Sequence, residues 1–243
     1  MKYPIRTISE YHIAYGLMPY KRNQDVIQII PGKGDCTYAV SVVDGWNWKE
    51  KLADDRVGRR AARYIAKEYP QTFLELDDID FVRRAETAST VVDKRFLKAF
   101  PKYASAVTVF LFSFMNQDII VYVGKGIVLL WDGKQWTKPV KIGDYFLDET
   151  KFGFSNEVSR FFGRGELKGD PLYSCKPDVV VCRPETPVFL ATDGLEDVFT
   201  LEEITQIIRI DHEISPRELT DRLLTEASRC GTQRDDISVL VRL

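Results

Sequence analysis

Between residues 108 and 131 three apolar runs follow one another with almost nothing between them: Thr108–Phe114, Ile119–Val123 and Ile127–Trp131. The breaks are Asn116-Gln117-Asp118 and Gly124-Lys125-Gly126. Short loops with Asn or Gly between β-rich runs indicate antiparallel hairpins. This constrains the fold, because every other element has to cover the faces of antiparallel sheets.

Residues 8–15, residues 26–30 and Tyr38–Val43 read as earlier strands, the last stopping at Asp44-Gly45. A helix follows, with Val57, Ala61, Tyr64 and Ile65 at helical spacing and Arg59, Arg60, Arg63 and Lys67 on the other side. Pro70 is expected to close it. A second helix is predicted from about Asp78 to Ala99, on the stripe Val82, Ala85, Val92, Phe96 and Ala99. Asp77-Asp78 at its start suits the positive end of the helix dipole.

Residues 138–175 are irregular, with one helix predicted at Asn156–Phe162. Val179–Cys182 and Val188–Thr192 read as strands, and helices are predicted at 201–209 and 216–229. The second of these begins Ser215-Pro216, an N-cap followed by proline at the first helical position. Ile237–Leu243 is the closing strand. Two antiparallel sheets face to face, flanked by helices, would bury all of these runs. The expected fold is therefore α+β, an αββα sandwich, in one domain spanning residues 1–243.

Composition excludes several classes. A net charge of −2 gives no electrostatic case for nucleic acid or an anionic membrane. The start, MKYPIRTISEYHIAYG, lacks the apolar stretch of a signal peptide, and no run approaches membrane-helix length. Cys36, Cys175, Cys182 and Cys230 are too sparse for a disulfide scaffold and too widely spaced for a metal knuckle. They read as reduced thiols of a cytoplasmic protein, and a monomer is expected.

Three strands begin or end at an aspartate: YAVSVVDGW (Asp44), PVFLATDGLED (Asp193) and QRDDISVLVRL (Asp235). Carboxylates gathered at one rim are what a hard divalent cation such as Mg²⁺ or Mn²⁺ needs. If the strand of Asp235 runs opposite to the other two, all three meet at the same rim. Glycine after Asp44 lets the backbone turn and lets the Gly45 carbonyl approach a cation.

In their order and spacing these motifs resemble the metal-dependent serine/threonine protein phosphatases of the 2C type (PPM), in their compact bacterial form. Asn23-Gln24-Asp25 resembles the N-terminal acidic motif and Val43-Asp44-Gly45 the first metal motif. Asn156–Gly163 resembles the flap motif, within a flap subregion at about residues 138–175. Leu190–Leu195 is similar to the strongest signature, and Asp235-Asp236-Ile237-Ser238-Val239 to the closing one. The resemblance implies two Mn²⁺ or Mg²⁺ ions, with Asp44 bridging both. Asp193 and Asp235 would complete one sphere, and the Gly45 carbonyl would reach the other. Asp25 would orient a metal-bound water. Two such cations lower the pKa of a shared water from 15.7 toward ~7, and the resulting hydroxide attacks phosphorus. The expected substrate is a phosphorylated protein.

The chain departs from the family pattern at three places. Tyr20 stands where an arginine grips the substrate phosphate; Arg22 shares its face in an extended segment and is taken as the substitute clamp. Trp46 replaces a histidine after Asp-Gly that is a plausible general acid, which disfavours poor leaving groups. Lys125 follows Gly124 where an aspartate helps hold a third ion, and an ammonium cannot ligate a cation. These losses leave a second reading, a pseudophosphatase serving as a binding module.

Overall fold

The computed structural model describes residues 3–20, 24–47, 56–77, 80–100, 104–139, 162–163, 175–210, 214–233 and 235–243. Two sheets, antiparallel throughout, lie face to face. One has six strands in the order β1(Ile5–Ile8), β2(Ile13–Met18), β11(Ile237–Arg242), β10(Val188–Ala191), β7(Ile127–Trp131), β8(Trp136–Thr137). The other has five: β3(Val26–Pro31), β4(Cys36–Asn47), β5(Ala104–Phe114), β6(Asp118–Val123), β9(Asp178–Cys182). Helices α1(Arg56–Glu75) and α2(Phe81–Ala99) cover the five-stranded sheet, and α3(Leu201–Ile207) and α4(Pro216–Cys230) the six-stranded one. The αββα sandwich expected from the hairpin pattern is borne out.

Strand alternation sorts β4 between two cores. Tyr38, Val40 and Val42 face the layer between the sheets, with Leu111, Ile120, Leu190 and Leu240. Ala39 and Val43 face the helices, with Ile65, Tyr69, Phe73 and Phe96. Asp44 falls on the inter-sheet side, at the end of the sandwich.

Several boundaries differ from the sequence reading. Residues 8–15 are not one strand: β1 ends at Ile8, a short 3₁₀ turn covers Ser9–Tyr11, and β2 returns from Ile13. His12 makes this reversal at a φ of 51°, donating its N–H to the Ser9 carbonyl. The strand of Asp44 does not stop at Asp44-Gly45. β5 offers Val107, Ala106, Ser105 and Ala104 as partners, and the pairing continues to Asn47. The second helix begins at Phe81, where the Asp80 carboxylate caps the N–H groups of Val82 and Arg83. Of the helix predicted at Asn156–Phe162, residues 156–161 lie outside the described residues. Phe162 itself makes an antiparallel bridge to Ala106.

Pro70 does not close α1 but sits inside it. Proline removes the N–H that would bond to the carbonyl four residues back, here Ala66. The Ser41 hydroxyl on β4 donates to that carbonyl instead, at 2.9 Å, so the helix continues. Ser41→Ala is expected to destabilise the fold by about 1–3 kcal/mol, because it leaves a buried acceptor unpaired. Urea denaturation would measure this; a change within error would show that the helix does not depend on the bond.

The α4 start matches its prediction. Ser215 and Glu218 form a reciprocal capping box, with Pro216 in the first turn.

Candidate metal centre

The register of each sheet carries the acidic residues to one end of the sandwich. Val26 pairs with Val43, so one step further Asp25 lies opposite Asp44. Ala191 pairs with Val239, so Asp193 and Asp235 flank the same end of the β10–β11 pair. The backbones are tightly joined there: a Cβ on Gly194 would fall 2.1 Å from the Asp236 carbonyl oxygen, so only glycine fits. Gly45 has a similar constraint. A Cβ on it would fall 2.2 Å from the Gly58 carbonyl oxygen in α1, and a Cβ on Gly58 2.6 Å from the Gly45 oxygen. The Asp44-Gly45 pair therefore serves close strand–helix packing rather than a turn. Gly58 keeps a side chain away from the Gly45 carbonyl.

Asp44 is buried and its carboxyl is raised well above its ordinary value, by burial first and then by Asp25, Asp193 and Asp235. The two sheets thus bring Asp25, Asp44, Asp193 and Asp235 into one electrostatic cluster. The Asp25 and Asp44 carboxyls stand within hydrogen-bonding reach of each other. Burial, and then Asp236, push Asp25 up to about 8, while the hydrogen bond from Thr192 opposes the rise. Burial raises Asp193 as well, against the opposing charge of Lys125. Asp235, exposed at the rim, is raised to about 6 by desolvation of its carboxyl and by Asp193 and Asp236. Arg22 lies outside the described residues, as does all of 140–161 and 164–174. Trp46 is half-buried two residues along β4 from Asp44.

Two supporting residues were not singled out from the sequence. Thr192 Oγ1 donates to Asp25 Oδ2 at 2.8 Å and accepts from the Ser238 N–H at 2.9 Å, tying β3, β10 and β11 together. Asp236 is buried and accepts from the backbone N–H groups of Tyr20 and Gln24, fixing both ends of the span that contains residues 21–23. Asp236 follows Asp235 in the closing motif, but its partners lie more than 200 residues away. No local pattern announces them.

Among the described residues, no group of three or more Asp, Glu, His or Cys side chains forms a ready metal cage. The donor chemistry nevertheless fits hard divalent ions. The cluster is all oxygen, and Asp25 Oδ1 is buried with no hydrogen-bond partner beside a second carboxyl. Two facing acceptors without a donor call for a shared proton or a cation between them.

The proton alternative gives a pH dependence. Asp25 has a higher pKa folded than unfolded, where it returns to about 4. Below that range both states hold the proton and the contribution is complete. Above it the unfolded chain releases its proton first, so metal-free stability falls as pH rises toward 8. In chelator, Asp25→Asn is expected to make this loss smaller, the raised Asp44 and Asp193 carboxyls keeping the remainder. Urea unfolding at pH 5 and pH 8 would test it; equal losses in both proteins would refute it.

The sequence model of the family Protein phosphatase 2C matches residues 142–236. Solved structures share the fold across nearly the whole chain. The serine/threonine phosphatase of S. agalactiae aligns with a TM-score of 0.69 at 15% identity, covering 94% of this chain and 98% of that one. The phosphatase Stp1 from Staphylococcus aureus gives 0.69 at 15%, covering 94% and 93%. The catalytic domain of the serine/threonine protein phosphatase PstP, solved with 2 manganese ions, gives 0.64 at 16%, covering 94% and 96%. No curated protein matches the chain. The resemblance carried by the motifs is thus borne out by the family match over residues 142–236, and the expected fold by the solved structures.

Proposed function

We propose that this chain, a protein phosphatase of the 2C type by family match and fold, hydrolyses phosphoserine or phosphothreonine in proteins with two Mn²⁺ or Mg²⁺ ions. The observation that carries this reading is the cluster of buried Asp25 and Asp44, half-buried Asp193 and exposed Asp235, drawn from both sheets to one end of the sandwich. Bound there, the ions would supply a nucleophile from water at neutral pH and positive charge against the phosphoryl oxygens.

The side chains divide the remaining work. Asp44, whose carboxyl feels Asp25, Asp193 and Asp235 alike, is assigned as the ligand that both ions would share. Asp193, Asp235 and the Gly45 carbonyl would complete the set of oxygen ligands that holds the ions. Asp25, held by Thr192, would orient a water through its unpartnered oxygen. Arg22 is assigned to the substrate phosphate; the anchors of Tyr20 and Gln24 on Asp236 bracket it in the sequence. Residues 138–175 are assigned to substrate selection, within one phosphatase domain of a monomeric, cytoplasmic protein.

Purified protein with Mn²⁺ is expected to release nitrophenol from p-nitrophenyl phosphate, and chelator is expected to stop it. The aryl ester is expected to react much faster than a phosphoserine peptide, since Trp46 offers no proton to a poor leaving group. Turnover that survives excess chelator would refute the metal mechanism. Folded, metal-bound protein without turnover would favour the pseudophosphatase.

A further inference from the structure

We propose that Lys125 is a built-in cation of this centre, set against Asp193, and that it limits how many divalent ions the carboxylate cluster holds. The inference rests on the two-ion reading given under Proposed function. Its basis in this chain is the strand register. Ile127 pairs with Ala191 and Val128 with Leu190. β10 ends at Ala191, and Asp193 opens a short 3₁₀ turn two residues on, at the same end of the pair where Lys125 lies two residues before Ile127.

The hairpin is held firmly in that position. On its other arm Val123 pairs with Thr108. Gly124 turns the chain at a φ of 94°. A Cβ on Gly126 would lie 2.9 Å from Val109 Cγ2 and 3.3 Å from the Ala191 carbonyl oxygen, so the backbone is pressed onto both sheets. Glycine on either side leaves Lys125 as the one side chain of the tip, and it is half-buried. Its charge reaches Asp193, where it opposes burial, while Glu196 and Asp197 add negative charge on the same side.

The physical consequence is competition. An ammonium beside Asp193 already neutralises part of the cluster and repels a further cation approaching from the β6–β7 side. The cluster then holds the ions that Asp44 can share and no more. Removing the charge strengthens cation binding, and reversing it supplies another ligand.

Calorimetric titration of the full chain with Mn²⁺, without substrate, tests this. The wild type is expected to take two ions. Lys125→Gln, which keeps a polar side chain of similar reach, is expected to take two with affinity raised about tenfold. Lys125→Asp is expected to take a third. Lys134→Asp, the same charge change at the exposed β7–β8 turn, is expected to leave both numbers unchanged. If Lys125→Asp binds two ions like the wild type, or Lys134→Asp produces the same gain, the inference is overturned while the two-ion reading stands. Should Lys125→Asp fail to fold, an unchanged affinity in Lys125→Gln overturns it equally. A folded wild type that binds no Mn²⁺ overturns both.

Discussion

Replacing Asp44 by asparagine is expected to lower turnover of p-nitrophenyl phosphate by at least about 10³-fold, a loss of the size seen when a principal transition-state stabiliser is removed. The substitution keeps the shape and removes one charge. In this site that charge is the common neighbour of Asp25, Asp193 and Asp235, so no other carboxylate can replace it. The same substitution is expected to stabilise the metal-free protein at neutral pH, because a buried carboxyl facing other carboxyls gains by losing its charge. The two effects have opposite signs. Steady-state kinetics with saturating Mn²⁺ and a urea melt in chelator measure them separately. A loss of both activity and metal-free stability would mark Asp44 as a packing residue, contrary to the assignment.

Asp118→Ala is expected to destabilise the protein by about 3–5 kcal/mol, the usual cost of leaving one partner of a buried ion pair alone. Arg242 at the end of β11 donates through Nη2 to Asp118 Oδ2 at 2.6 Å and through Nη1 to the Tyr38 hydroxyl at 3.1 Å. Both charges are almost fully buried. The pair joins the two sheets at the end of the sandwich away from the acidic cluster: Arg242 closes the strand that Asp235 precedes, a separation of roughly 20 Å along an extended chain. Thermal unfolding is expected to drop by about 6–20 °C for a chain of this size, with turnover per folded molecule unchanged. The double replacement Asp118→Leu with Arg242→Met is expected to recover most of the loss, because it removes both buried charges. A loss below about 1 kcal/mol in the single variant would show that water relieves the guanidinium.

The fold was legible in this sequence because hairpins are local. Glycine and asparagine between apolar runs announce them without reference to anything distant, and Ser215-Pro216 announces α4 in the same way. The boundaries that were misread each depend on a partner remote in sequence. Pro70 is tolerated because Ser41, on another element, satisfies the carbonyl that proline orphans. β4 outruns Asp44 because β5 is long enough to pair with it. Phe162 leaves the expected helix for a bridge to Ala106.

The site divides in the same way. Aspartates at strand ends stand out in the sequence, and strand direction alone suggested that they meet. The tie from Thr192 to Asp25 and the anchor that Asp236 provides for Tyr20 and Gln24 cross between elements far apart in the chain. The approach of Lys125 to Asp193 follows from the β7–β10 register, which no single motif contains.

Anomalous diffraction from crystals grown with Mn²⁺ tests the central claim most directly. Two peaks are expected at the end of the sandwich, with Asp44 touching both and Asp193 and Asp235 on one of them. Manganese bound elsewhere, or held by Asp193 and Asp235 with Asp44 turned away, would contradict it.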